Sequence, residues 1–169
     1  VTESDSLTSF DSDGFSLGAN AGAGINYSGV TYVAWNWKGG GTAESNTDGT
    51  ITSSVSANPT AGFSVVTYTG NGINGATVGH GLGVTPALIM IKNRTSAVDW
   101  AVNPGNSTLF GGSYYFILNS TSAKVSNSNM YTSYAGPSKF YLSTNTMANA
   151  NTSSHVAYCF ANVEGYSKI

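Results

Sequence analysis

Residues 62–94, GFSVVTYTGNGINGATVGHGLGVTPALIMIKNR, decide the fold class of this chain. The alternation at 63–69 predicts a β-strand with one half-exposed face, and the apolar run at 87–91 predicts a strand covered on both faces. The segment between them is dense in glycine and almost uncharged, which is typical of a loop whose backbone takes positive φ or passes close to a neighbour. The stretch therefore indicates β-structure and offers no catalytic group.

The composition is poor in charge and rich in aromatic residues. The 169 residues include six Lys and Arg, eight Asp and Glu, and 21 Gly, beside three Trp, seven Phe and ten Tyr. Disorder is the competing interpretation of so much Ser, Thr, Asn and Gly, but the aromatic residues lie in patterned clusters that a solvated tail does not need. The composition favours an all-β, extracellular or assembly-bound protein over a cytosolic enzyme.

Several classes of partner are disfavoured by the sequence. The six basic residues are scattered and form no basic patch, so we expect no nucleic-acid partner. The sequence has neither an apolar run of 18 residues nor a signal peptide, so we expect no membrane span and no classical export. Because the chain begins at Val rather than Met, we expect it to be a piece of something longer. Cys159 lies in an apolar run and is predicted to be a buried, inert thiol.

Further strands are predicted along the chain at 15–17, 30–38, 98–102, 114–118, 139–142 and 155–163. The clearest alternation in the N-terminal part is VTYVAWNWK at 30–38, which places Trp35 and Trp37 on one face and predicts that both are core residues. Residues 42–61 are of low complexity and are predicted to be an insert or linker.

The end of the chain repeats a pattern from its beginning. VAWNW at 33–37 matches VAYCF at 156–160 with an offset of 123, and FSL at 15–17 matches FYL at 140–142 with an offset of 125. GFSVV at 62–66 matches GYSKI at 165–169 with an offset of 103, and the difference of 20 equals the length of residues 42–61. Coincidence is the alternative, since aromatic strands are common in β proteins.

This repeat predicts tandem β modules of about 100 residues. Residues 1–41 would be the C-terminal part of an upstream module and 42–61 the insert. Residues 62–169 would form a β-sandwich module that ends in the first strand of a further repeat.

Motifs along almost the whole chain resemble one family. The segments SLTSFDSDGFSLG, VTYVAWNWKGGG, GHGLGVTP and VAYCF with EGYSK resemble a tandem β-rich domain of unassigned function in marine bacteriophage, including cyanophage, virion and tail-fibre-like proteins. The resemblance implies a structural role in the virion, at the tail or on the capsid surface, with contact to host glycans as a further expectation. It carries no agreed catalytic residues, so none is transferred.

The titratable residues give no predicted catalytic, cofactor or metal site. The Asp11 and Asp13 pair could begin a calcium loop, but the acidic residue that closes such a loop is missing and a turn is the better interpretation. His80 and His155 have no metal-ligand spacing and are predicted to be structural. Glu44, Asp48, Asp99 and Glu164 are the carboxylates outside the N-terminal cluster, and none lies on an aromatic strand face, so a hydrolase is disfavoured.

The aromatic residues are the one feature suited to binding. Trp100, Tyr131 and Tyr134 lie in polar, loop-like surroundings and are candidates for stacking on sugars. The expected fold is an all-β, antiparallel sandwich of jelly-roll or lectin-like type. The expected function is a self-assembling tail-fibre or appendage module of a phage virion, whose partners are copies of itself and other virion proteins. The alternative is a carbohydrate-binding module for host-surface glycans; no enzyme activity and no cofactor are expected.

Overall fold

A computed structural model describes residues 6–19, 24–104, 114–126, 129–131, 133, 135–165 and 168–169. The described residues form β-strands with one short helix, which confirms the all-β class. The elements are β1 (Leu7–Phe10), β2 (Phe15–Leu17), β3 (Glu44–Asn46), β4 (Ser53–Asn58), β5 (Phe63–Thr69), β6 (Ala76–Gly79), β7 (Leu88–Asn93), β8 (Ala101–Asn103), β9 (Tyr114–Ile117), β10 (Val125–Ser126), β11 (Lys139–Leu142), α1 (Thr146–Asn149) and β12 (Ser154–Phe160).

The chain divides into an N-terminal unit, Val1–Asn36, and a C-terminal unit, Trp37–Ile169. In the N-terminal unit, β1 and β2 form an antiparallel hairpin. The Asp11 amide donates to the Gly14 carbonyl over 2.9 Å, and the Asp11 carboxylate accepts hydrogen bonds from the hydroxyls of Ser9 and Ser16. The aspartate therefore closes the hairpin turn, as the sequence predicts.

The C-terminal unit is organised by a large antiparallel sheet with strand order β10-β9-β8-β7-β12-β5-β4-β3. β12 lies between β5 and β7 and pairs with both along its length. A second sheet consists of β11 and β6. The strands predicted near 63–69, 87–91, 114–118, 139–142 and 155–163 are all present, with boundaries that differ by up to three residues.

One face of the large sheet, called the inner face here, builds the hydrophobic core. Because side chains alternate along a strand, Val66, Ala157 and Ile91 stand side by side on this face, and all three are fully buried. Phe140 and Leu142 of β11 belong to the same core cluster. The two sheets of the C-terminal unit therefore share one core.

The strand predicted at 30–38 is absent, and the prediction that Trp35 and Trp37 are core residues is wrong. Residues 30–40 form no strand, Trp35 is 74% exposed and Trp37 is 41% exposed. The Trp37 ring packs instead against Phe63 and Phe160, with centroid distances of 6.1 and 5.1 Å. Alternation marks a segment that can be a strand, but a strand also needs neighbours that accept its hydrogen bonds.

Residues 42–61, interpreted from sequence as an insert or linker, contain β3 and β4. Ile51, Ser53 and Val55 alternate with exposed residues and are buried, and Ile51 donates its amide hydrogen to the Thr77 carbonyl. The glycine-rich segment after β5, interpreted as a loop, contains β6, whose neighbour is β11. The N-terminal unit ends at Asn36. The predicted domain bounds and the interpretation of tandem modules stay predictions.

Candidate functional site

The face of the large sheet opposite the core, called the outer face here, carries a row of apolar side chains. The register aligns one residue from each of five adjacent strands, so the row crosses about 19 Å of sheet at the usual strand spacing. From β9 to β5 the row consists of Phe116, Val102, Met90, Tyr158 and Val65. Four of the five are half-buried and Val102 is buried. This apolar row therefore presents a partly accessible hydrophobic strip.

A further aromatic side chain, that of Trp100, lies on the apolar row. The Trp100 ring stacks on Tyr158 with a centroid distance of 6.2 Å and an interplanar angle of 22°. The Trp100 amide donates to the Asn119 side-chain oxygen over 3.1 Å, and the Asn119 amide group donates to Asp99 over 2.8 Å. These bonds hold the loop before β8, so Trp100 is positioned by both stacking and hydrogen bonds.

Beyond the apolar row the outer face is lined by hydroxyl groups. A groove of about 410 Å³ is bounded there by residues of β3, β4, β5 and β12 and by the residue that follows β7. Its outward-facing side chains include Ser45, Ser54, Thr67, Thr69, Ser154 and Arg94. Arg94 supplies a positive charge beside several groups that both donate and accept hydrogen bonds. The hydroxyl groove can therefore hold a polar, hydroxyl-rich or anionic ligand.

Of the three residues predicted to stack on glycans, the structure describes two, Trp100 and Tyr131. Trp100 is half-buried on the outer face, next to the apolar row. Tyr131 is only 4% exposed and belongs to the core cluster, so its prediction as an accessible stacking residue is wrong. Burial raises the pKa of its hydroxyl well above the ordinary value. Tyr134 lies outside the described residues.

The sequence did not reveal the rest of this surface. Met90, Tyr158 and Phe116 occur in strands that were predicted, but their alignment into one row depends on the register between β9, β8, β7 and β12. Arg94 and the hydroxyl residues were hidden in a composition rich in Ser and Thr. Alternation within each strand was the available signal, and only the strand order brings the residues together.

His80 and His155 are both buried, as expected for structural histidines. The Leu82 amide donates to His80 Nδ1 over 3.2 Å, so Nε2 carries the hydrogen that is donated to the Gly136 carbonyl at 3.0 Å. His155 Nδ1 lies 2.9 Å from the Ser153 carbonyl, and its ring stacks on Tyr68. Burial lowers the pKa of both rings, more than their backbone hydrogen bonds raise it. Both rings are therefore neutral structural elements at neutral pH.

Other reactive groups are used in packing. Cys159 is buried against Ser64, and burial raises its pKa to about 12, so the thiol is not a nucleophile at neutral pH. Within the part of the chain that the structure describes, no group of three or more His, Cys, Asp and Glu residues could hold a metal ion. Among those same residues, no helix is long and apolar enough to span a membrane.

Comparison with known proteins gives a family whose function is unknown. The profile of a family described as a domain of unknown function (DUF7483) matches residues 1–169. Neither the curated proteins nor the solved structures contain a match to this chain.

Proposed function

We propose that this chain, which belongs to the DUF7483 family of domains of unknown function, is a structural module of a bacteriophage virion that assembles with copies of itself. The proposed location is a tail fibre or another surface appendage of the extracellular particle. Its partners are other copies and other virion proteins, with no role for nucleic acid, membrane or cofactor. The function is mechanical rather than catalytic.

The apolar row is the observation that carries this proposal. Phe116, Met90, Tyr158 and Val65 leave hydrophobic surface partly open on a rigid sheet, and such a strip on one face is typical of a surface that packs against a partner. A formal net charge of −2 offers little electrostatic repulsion between copies. Face-to-face packing of sheets at about 10 Å would cover the strip.

The edge strands of the large sheet also favour assembly through the outer face. The outermost described strands are short, with three residues in β3 and two in β10. Short edge strands limit pairing with another sheet edge. We propose that the C-terminal unit is a sandwich of jelly-roll or lectin-like type, repeated in tandem, because its two sheets share one core and its sequence pattern recurs.

The test is the mass of the purified chain, measured by light scattering across a range of concentrations. We expect a defined oligomer, and we expect Met90→Lys to lower its mass because a charge in the apolar row must be desolvated on packing. Ser54→Lys, on the outer face but outside the row, is the matched control and should keep the oligomer. A monomer at every concentration would contradict the proposal.

A second candidate function is recognition of host-surface glycans. It is favoured by the position of Trp100 on the same face as the hydroxyl groove, since sugars stack on aromatic rings and bond to hydroxyl and guanidinium groups. A glycan array would identify a ligand, and Trp100→Ala should then weaken binding at least about tenfold, which corresponds to 1.4 kcal/mol. Unchanged binding by this variant, with an unchanged melting temperature, would exclude Trp100 as the contact.

A further inference from the structure

The hydroxyl groove lies at one end of the outer face and is built from neighbouring strands. Ser45, Ser54 and Thr67 are aligned across β3, β4 and β5. Thr69 and Ser154 are paired between β5 and β12 in the next row. The register therefore places these hydroxyl-bearing side chains in two adjacent rows, in which neighbouring strands are about 4.8 Å apart.

These hydroxyl groups are available to a ligand. Thr67 is half-buried and the others are exposed. None of them is bonded to another residue within the ranges that the structure describes. The serine that faces the other way is used inside the protein, since Ser53 donates to the Gly79 carbonyl over 3.0 Å. Because each hydroxyl donates one hydrogen bond and accepts two, the rows offer a dense set of donors and acceptors.

Arg94 is the one charged side chain among the described residues that line the groove. It is exposed, and its guanidinium has no hydrogen-bond or ion-pair partner in the described part of the chain. Lys92, the preceding cation on the same face, is directed elsewhere, because its ammonium group donates to the Val98 carbonyl. The groove is therefore locally positive, although the whole chain has a formal net charge of −2.

The backbone of Arg94 is held in place by the neighbouring strand. Its amide donates to the Ser154 carbonyl over 2.8 Å, which continues the pairing of β7 with β12 beyond Asn93. In return, the Ser154 amide donates to the Thr95 hydroxyl oxygen over 3.0 Å. The Asn93 side-chain oxygen accepts from the amides of Thr95 and Ser96. The charge is therefore attached to an ordered backbone beside the hydroxyl rows.

One cation among many hydroxyl groups defines a class of ligand. A guanidinium group forms two parallel hydrogen bonds with a planar anion such as a carboxylate, and it also bonds to sulfate oxygens. A polyanion such as nucleic acid requires several basic groups, and the described groove has one. Its outward-facing side chains form no apolar pocket of the kind that holds peptide side chains. The groove therefore suits a ligand that carries an anionic group among many hydroxyl groups.

We propose that the hydroxyl groove binds an acidic saccharide. The Arg94 guanidinium pairs with a carboxylate or sulfate group of the sugar, and the Ser and Thr hydroxyl groups bond to the sugar hydroxyls. This inference rests on the second candidate function, recognition of glycans, and names the chemical class of the glycan. It depends neither on self-assembly nor on a place in the virion.

The position of Trp100 fits a saccharide of several units. Trp100 stacks on Tyr158, and Tyr158 lies four residues from Ser154 on β12. Four residues of a strand span about 13 Å. An extended oligosaccharide that lies along β12 therefore reaches from the aromatic pair to the charge of Arg94.

The test is calorimetric titration of the purified chain with three matched probes. These are a trimer of galacturonic acid, a sulfated galactose trimer and a neutral galactose trimer. At least one acidic trimer should bind at least about tenfold more tightly than the neutral trimer, because it adds charge-assisted hydrogen bonds. The tighter of the two identifies the anionic group as carboxylate or sulfate. Equal binding of all three probes, or no binding of either acidic trimer at millimolar concentrations, would overturn the proposal.

Two variants with the same change of charge assign the effect to Arg94. Arg94→Gln should lower the affinity for the preferred acidic trimer at least about tenfold. Lys38→Gln is the matched control, since Lys38 is exposed and its carbonyl bonds to Asn58, at the end of β4 remote from the groove. Added NaCl should weaken acidic-trimer binding more in the wild-type chain than in Arg94→Gln. Unchanged affinity of Arg94→Gln would overturn the proposal.

The hydroxyl rows have a test of their own. Thr69→Val removes an exposed hydroxyl and keeps a β-branched side chain, so it should lower the affinity for the acidic trimer about threefold or more. A trimer of aspartic acid carries the charge without sugar hydroxyls and should bind at least about tenfold more weakly than the acidic saccharide. Equally tight binding of this peptide would assign the groove to acidic peptides and overturn the proposal.

The outcomes separate this proposal from the glycan function on which it rests. If neutral glycans bound and their binding were lost in Trp100→Ala but not in Arg94→Gln, the glycan function would stand and the acidic ligand would be excluded. The Met90→Lys measurement of mass concerns the apolar row, which lies outside the groove. Self-assembly is therefore decided independently of saccharide binding.

Discussion

Tyr68 donates its hydroxyl hydrogen to the carbonyl oxygen of Ala148 over 2.7 Å, and so ties the middle of the large sheet to the short helix α1. Tyr68 is buried, and the bond satisfies a hydroxyl that water cannot reach. Burial raises the pKa of this hydroxyl well above its ordinary value, so it remains a donor at any physiological pH. The loops around α1 are further held by Asn149, whose side chain donates to the carbonyls of Ile73 and Ser143.

Tyr68→Phe should lower the free energy of unfolding by about 1–3 kcal/mol, because it leaves a buried carbonyl without its donor. Tyr131→Phe is the matched control, since the Tyr131 hydroxyl is also buried but has no hydrogen-bond partner within the described residues. That second change should be neutral or stabilising. Urea titration of both variants gives the two free energies of unfolding. Equal losses in the two variants would show that the hydrogen bond of Tyr68 does not contribute to stability.

Acid should destabilise the fold through His80 and His155. Both folded-state pKa values lie below the ordinary value of 6.5, which the rings regain on unfolding. The unfolded chain therefore binds protons that the folded chain refuses as the pH falls below about 6.5, and stability decreases. Above that pH both rings are neutral in the folded and the unfolded chain, so they no longer make stability depend on pH.

The measurement is the urea midpoint between pH 8 and pH 5, a range above the titration of ordinary carboxyl groups. His80→Gln should reduce the slope of the midpoint with pH, whatever its effect on absolute stability. A midpoint of the wild-type chain that stays constant down to pH 5 would show that both rings accept protons in the folded state.

Gly70→Ala should be strongly destabilising for steric reasons. A Cβ atom at this position would lie 2.3 Å from the Ala150 carbonyl oxygen and 2.9 Å from the Asn149 carbonyl carbon. Because both are backbone atoms, the segment after α1 must shift, at a cost of about 1–3 kcal/mol or more. Gly136→Ala is the control, since the nearest atom to its new Cβ is 3.8 Å away. Thermal denaturation that ranks the two variants in the opposite order would contradict the described packing.

Phe140→Ala and Trp35→Ala test the revised assignment of the core. Phe140 is 1% exposed, so emptying its site should cost about 3–5 kcal/mol. Trp35 lies on the surface, and its truncation should change the free energy of unfolding by no more than about 0.5 kcal/mol. Denaturant titration distinguishes the two variants. If Trp35→Ala lowered the free energy of unfolding as much as Phe140→Ala, Trp35 would be a core residue.

Much of the C-terminal unit could be predicted from local pattern. The alternation at 63–69 and the apolar runs before Lys92 and at 155–160 are strands because their side chains suit a pleated, covered surface. Trp100 is half-buried beside the apolar row, and its role in binding stays a prediction. The prediction for Tyr131 was wrong. Its neighbours in the sequence are polar, like those of Trp100, but the fold turns its side chain into the core.

The sequence by itself determined the local features of this protein. These are the segments that can form strands, the turns at Asp11 and in the glycine-rich segments, and the unreactive thiol of Cys159. Only the tertiary structure decided which of those segments find neighbours. VAWNW and VAYCF carry one pattern, but only the second lies between β5 and β7, where it is buried as β12. The physical reason is that a strand is stabilised by hydrogen bonds and contacts from residues distant in the chain, and local alternation cannot report whether those residues are present.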